Sequence, residues 1–182
     1  MLLLVAMSIG PALANEDELK PPPTYVNPAW AALAAHRDGD LERAVHLYTE
    51  ALALGEMQPD NMAVLRNNRG HALEVLGDDS GARLDYEAAI DLVPDYIPAR
   101  VNLGILLSNT RRMRMAEKVF TETIEIDPAT HVAWYNRGLV RMSLGESKQA
   151  KQDLMKAWEL APEEVDYHET LNSYGIDPAA PF

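Results

Sequence analysis

A step of 34 residues constrains this chain more than any other feature. Asn68-Arg69-Gly70, Asn102-Leu103-Gly104 and Asn136-Arg137-Gly138 recur at that step, and so do Ala82, Ala116 and Ala150, and Pro94, Pro128 and Pro162. A fixed period of this length means that each unit is one supersecondary element, able to bury its apolar face only against its neighbours. Between the marks lie two apolar-periodic segments, each long enough for about three to four helical turns, with a break at Gly77 or Gly145. Each unit therefore reads as a helical hairpin, and the chain as all-α.

Small residues at Gly70, Gly104 and Gly138 on the first helix, facing Ala82, Ala116 and Ala150 on the second, let the two axes approach within roughly 8 to 10 Å. Tyr86, Phe120 and Leu154 are expected to fill the layer between successive units, and the prolines to end each second helix. A weaker unit precedes the three clear ones, with Ala32, Gly39, Ala44, Tyr48 and Ala51 in the matching places and an enlarged loop at Gly55-Glu56-Met57-Gln58-Pro59. Asn27-Pro28 is its helix start, with Asn as the cap and Pro at the first helical position. After Pro162, an amphipathic stretch from Glu163 to Tyr174 predicts a capping helix over the apolar end that a solenoid leaves open.

A helix-turn-helix unit of this length with these fixed residues resembles the tetratricopeptide repeat. The last unit carries the pattern almost whole, in Trp134, Gly138, Gly145, Ala150, Ala157 and Pro162. Two departures are local: Arg111 stands where the turn glycine is expected, and Thr123 where the second helix usually has alanine. The expected organisation is a signal peptide at 1–14, a Pro-rich linker at 15–24, a divergent repeat at 25–62, repeats at 63–96, 97–130 and 131–164, and a capping helix with tail at 165–182. The resemblance implies a right-handed superhelix whose first helices line a concave face.

Composition narrows the function. Sixteen Lys and Arg against 28 Asp and Glu give a net charge of −12, which repels phosphate backbones and anionic lipid, so nucleic acid is not an expected partner. With no cysteine there is no disulfide, thiol catalysis or thiolate metal site. No catalytic or nucleotide-binding motif stands out, and the histidines at 36, 46, 71, 131 and 168 lack metal-ligand spacing. Asp38-Gly39-Asp40 reads as an inter-helix turn with Asp40 as cap rather than as a calcium loop. Neither a metal nor a cofactor is expected, nor is the chain expected to be an enzyme. The run Met1–Ala14 is apolar and ends in Ala12-Leu13-Ala14, the small-x-small pattern of signal-peptide cleavage, although no basic residue precedes it. Export to the periplasm with cleavage after Ala14 is the expectation. The run is shorter than the ~20 residues a membrane span needs.

Mapped residue by residue, the resemblance implies a partner-binding groove containing Asn67, Asn68 and His71, then Val101, Asn102 and Ile105, then Tyr135, Asn136 and Leu139. Asn68, Asn102 and Asn136 form a ladder whose amides suit a peptide backbone, since each offers both a donor and an acceptor. The alternative is that the ladder ties neighbouring helices together. The carboxylate clamp of some family members is absent, because its lysine places hold Asn67 and Val132 and its arginine place holds Asn136. Val101, Ile105, Tyr135, Leu139 and Met142 are accordingly expected to be exposed as apolar readers of a partner. Arg69 and Arg137 are expected to pair with carboxylates of neighbouring helices. Residues 97–130 carry the one basic island, Arg111-Arg112-Met113-Arg114 with Lys118. The expected function is a non-catalytic adaptor for a protein or peptide partner in the cell envelope; the alternative is a structural module that assembles with further copies of itself.

Overall fold

The computed structural model describes residues 27–55 and 57–176, so the expected signal peptide and the Pro-rich linker lie outside the described residues. The helices are α1 (Pro28–Arg37), α2 (Leu41–Leu54), α3 (Pro59–Val75), α4 (Asp79–Leu92), α5 (Ile97–Asn109), α6 (Met113–Ile126), α7 (His131–Ser143), α8 (Ser147–Leu160) and α9 (Val165–Ser173). Among the described residues there is no strand.

Local chemistry explains most boundaries. Asn27 Oδ1 accepts from the Ala29 amide at 2.9 Å, with Pro28 at the first helical position, where its missing N–H is no loss. Asp40 and Asp78 cap α2 and α4 in the same manner, accepting from the amides of Arg43 and Gly81. Gly39, Gly77 and Gly145 make the intra-hairpin turns at φ of 81°, 86° and 79°. Arg111 makes the corresponding turn at φ 61°, so the departure from glycine is met by placing an arginine in the left-handed region. Helices α4, α6 and α8 each stop two residues before Pro94, Pro128 and Pro162.

The chain forms two compact bodies that divide between Asn102 and Leu103, inside α5. In the body of residues 27–102, Ala29, Ala32, Ala35, Ala44, Tyr48, Ala51 and Leu65 form the core of α1, α2 and the start of α3, and Ala63, Ala89 and Ala99 join α3, α4 and α5. In the body of residues 103–176, Tyr135, Leu139, Leu154, Met155, Ala157, Ala161, Tyr167, Leu171 and Ile176 form one cluster, with α9 closing over α7 and α8.

Tyr86, Phe120 and Leu154 also lie over the glycine of their own hairpin. A Cβ on Gly70 would stand 2.8 Å from Tyr86, one on Gly104 2.6 Å from Phe120, and one on Gly138 2.8 Å from Leu154. The glycines are small because a ring or branched chain fills the space above them. Thr123, in the place of alanine, is fully buried, and its hydroxyl donates to the Val119 carbonyl at 2.8 Å, which satisfies it within the helix.

Candidate partner-binding site

Asn67 and Asn68 on α3 and Asn102 on α5 are all buried, and they meet. Asn102 Nδ2 donates to Asn67 Oδ1 at 3.0 Å, and Asn67 Nδ2 donates to Asn68 Oδ1 at 3.3 Å. The Asn68 amide in turn bonds the Tyr48 hydroxyl of α2. The Tyr48 oxygen lies 3.1 Å from His36 Nδ1 of α1, and His36 Nε2 lies 3.0 Å from His71 Nδ1, the two imidazoles stacked with centroids 5.1 Å apart. Burial together with the neighbouring imidazole pushes the His36 pKa down to about 4, and burial lowers that of His71. Four of the expected site residues, Asn67, Asn68, His71 and Asn102, thus belong to one network. Its two other members, Tyr48 and His36, were not among the expected site residues. The signal for them is faint: His36 and His71 stand 35 residues apart, one more than the period.

In the 103–176 body, Asn136 behaves differently. Its Nδ2 donates at 2.9 Å to the Val132 carbonyl one turn earlier on its own helix. Tyr135 stacks on Tyr167 of α9, centroids 4.5 Å apart, and its hydroxyl lies 2.8 Å from Thr170 Oγ1. His131 Nδ1 lies 2.6 Å from the Tyr167 hydroxyl. The expectation that Val101, Ile105, Tyr135 and Leu139 are exposed is corrected, since all four are buried and only Met142 is half-buried. For Tyr135 and Leu139 the cause is the capping helix, whose Tyr167 and Leu171 pack in the same cluster. For Val101 and Ile105 it is the character of α5, apolar on all sides from Val101 to Leu107 apart from Asn102 and Gly104, a pattern that goes with burial all round.

Two ion pairs on buried carboxylates brace the first helices. Arg69 donates to both carboxylate oxygens of Asp85 at 2.6 and 2.7 Å, and its third contact is Thr49 Oγ1. Arg137 repeats this with Asp153 at 2.9 and 2.8 Å, and with Thr121 Oγ1. The expected carboxylate partners are found on the second helix of the same hairpin. Arg66 and Arg141 add a further donor to Asp85 and Asp153. In this fork geometry the guanidinium fixes both helices of the hairpin.

The side-chain atoms left over are the informative ones. Among the described residues, the buried oxygens of Asn102, Asn136 and Tyr96 have no hydrogen-bond partner. Asn102 and Asn136 occupy the same place in successive repeats, and an unmet buried acceptor costs about 1 to 3 kcal/mol. Each body therefore carries, on a first helix, a buried amide oxygen without a hydrogen-bond partner.

Comparison with known proteins places the fold. Residues 97–130 and 131–164 match the family model of the tetratricopeptide repeat. Human tetratricopeptide repeat protein 6 is 29% identical over 133 residues, covering 71% of this chain and 25% of that protein, so the chain spans about a quarter of its length. A structure of MamA, the RS-1 ArsTM double mutant, has a TM-score of 0.69 at 24% identity, covering 84% of this chain and 88% of the other. A crystal structure of YrrB, described as a TPR protein with an unusual peptide-binding site, has a TM-score of 0.67 at 22% identity, covering 78% of this chain and 71% of the other. The all-α repeats expected from the 34-residue step are those found: residues 97–164 are two tetratricopeptide repeats, and the chain has the tetratricopeptide-repeat fold.

Proposed function

We propose that this chain is a non-catalytic adaptor of the cell envelope that binds an extended segment of a partner protein through the amides of its first helices. The observation that carries the reading is the carbonyl oxygen without a hydrogen-bond partner that each body carries by itself, on Asn102 in one and on Asn136 in the other. A partner backbone N–H meets such an oxygen without reading the partner's side chains, which suits recognition of an extended peptide. The bidentate Arg137–Asp153 pair holds α7, which presents Asn136, in place beforehand, so little order of that helix is lost on binding. The peptide-binding site attributed to YrrB supports the same use of this fold. Export rests on the apolar run 1–14 and its Ala12-Leu13-Ala14 end, which calls for Asn15 as the first residue of the exported product.

The test is selection of a random peptide library on the purified chain, followed by fluorescence anisotropy of the selected peptides against the parent and the Asn102→Ala and Asn136→Ala variants. Loss of one such hydrogen bond weakens binding about 2- to 12-fold, from a net worth of about 0.5 to 1.5 kcal/mol. Peptides held equally by both folded variants and the parent would move the site away from these amides.

A further inference from the structure

Six side chains of the 27–102 body form one unbranched hydrogen-bond line, in the order Asn102, Asn67, Asn68, Tyr48, His36, His71. Its direction follows from the amide end. Asn102 donates to Asn67, and Asn67 donates to Asn68. With the Asn68 oxygen thus engaged, its nitrogen donates to the Tyr48 oxygen. Tyr48 has one proton and gives it to His36 Nδ1, and neutral His36, with its hydrogen on Nε2, donates to His71 Nδ1. Every member accepts on one side, through an oxygen or a bare ring nitrogen, and donates an N–H or O–H on the other. The line can therefore run one way or the other, but never mixed. At its start the Asn102 oxygen is left buried without a partner.

A proton removes that freedom, because imidazolium donates from both nitrogens. If His36 takes it, Nδ1–H faces Tyr48, which must accept. If His71 takes it, His71 Nδ1–H donates to His36 Nε2, the hydrogen of His36 sits on Nδ1, and Tyr48 must again accept. The Tyr48 proton then goes to Asn68, which turns its oxygen toward it, and Asn67 and Asn102 turn in succession. Each turn exchanges a carbonyl oxygen for an NH2 of nearly the same size. We propose that protonation of the His36–His71 pair reverses this line, and so converts the amide of Asn102 from one offering an unpaired acceptor to one offering an unpaired donor.

The surroundings isolate the pair. Tyr48 faces it from α2, and each ring faces the other across α1 and α3. Glu74 of α3 is engaged by the Tyr86 hydroxyl of α4, and Asp85 of α4 by Arg66 and Arg69. Arg37 with Asp38, and His46 with Glu50, pair in solvent, and Arg100 of α5 donates to the Pro94 carbonyl. Among the described residues no carboxylate is paired with either ring, so burial holds both neutral until the medium is acidic, which sets the switch below the ordinary histidine range. The consequence for a partner, an N–H met by the neutral form and a C=O by the protonated one, rests on the adaptor reading; the reversal itself does not.

The test is NMR of the 15N-labelled chain from about pH 7.5 to about pH 4, following the histidine ring nitrogens and the Asn102 side-chain NH2. In the parent, the Asn102 signal shifts with the midpoint of the ring titration. In Tyr48→Phe the rings still titrate and the Asn102 signal stays still; Phe120 at the same place in its repeat shows that phenylalanine fills this position. A flat Asn102 signal in the parent overturns the proposal, as does a Tyr48→Phe variant that follows the parent, or loss of folded signals before the rings titrate. Peptide anisotropy at the two ends of the range separates the two readings. A moving amide with no peptide bound by the chain sinks the adaptor reading alone, and bound peptide with a flat amide sinks the switch alone.

Discussion

Asn68 and Asn136 occupy the same place in repeats that share the Asn-Arg-Gly run, yet one is a link in a six-residue line and the other folds back on its own helix. Tyr48, Tyr86 and Phe120 hold matching places in the second helices that precede Asn68, Asn102 and Asn136, once the four extra residues of the first unit are allowed for. Tyr48 bonds Asn68, Tyr86 sends its hydroxyl to Glu74 at 2.8 Å instead, and Phe120 has no hydroxyl to give. The amide is the same in all three repeats, and its fate follows the residue that varies beside it. The arginine pairs teach the converse. Arg69–Asp85 and Arg137–Asp153 are built alike in both bodies, down to the threonine each arginine also reaches. One repeat between them has Leu103 and Val119 in those places, an apolar pair substituting for an ionic one.

The largest break in this comparison is removal of a buried carboxylate. Asp153→Ala leaves Arg137 and Arg141 without their shared partner and is expected to cost about 3 to 5 kcal/mol in urea unfolding. Asp85→Ala should cost less, because the Arg69 and Arg66 side chains are 19% and 30% exposed, against 8% and 18% for Arg137 and Arg141. Installing the middle repeat's solution, Arg137→Leu with Asp153→Val, should recover most of the loss. A double variant as unstable as Asp153→Ala would show that the ionic pair cannot be exchanged for an apolar one in this hairpin.

Next in size is the response to acid. His36 is held at about 4 in the folded chain against 6.5 when unfolded, so the unfolded state binds the proton first. Stability contributed by the neutral ring is complete above pH 6.5 and declines as pH falls toward 4, by about 3 kcal/mol across that window. Calorimetry of His36→Gln over the same range should show a shallower decline than the parent, and equal slopes would place the acid sensitivity elsewhere. The smallest effect belongs to the turns. Arg111→Gly gives the α5–α6 turn the residue its φ of 61° favours, as Gly77 and Gly145 already provide in the flanking hairpins. A gain of about 1 kcal/mol in thermal unfolding is expected. An unchanged midpoint would mean that this arginine sits in the left-handed region without cost.

Much of the fold was legible because a repeat announces itself through residues that have only one use. Glycine and alanine where two helices come close, an aspartate or asparagine cap and a proline after the last turn each follow from local geometry, and these positions recur with the period. The site was legible only in part. The asparagines, His71 and the arginines could be named from their places, whereas Asp85 and Asp153 showed themselves only as charged residues inside otherwise apolar-periodic helices. Tyr48 and His36 gave almost no signal, since nothing in a linear spacing of 12 residues says that a hydroxyl and a ring meet. The burial of Tyr135 and Leu139 was missed because a helix later in the chain covers them, and first-helix position alone does not say what is covered.

The sequence by itself determined the helices, their turns, the hairpin pairing and the exclusion of thiol chemistry, because backbone propensity and apolar periodicity act over a few residues. Only the tertiary structure decided which amides are satisfied, which oxygens of Asn102 and Asn136 are left over, and how His36 and His71 come to share one line with them. Those outcomes depend on distances between side chains more than thirty residues apart, set when three helices pack together, and a repeat pattern carries the position of each residue but not the partner its polar atoms will find.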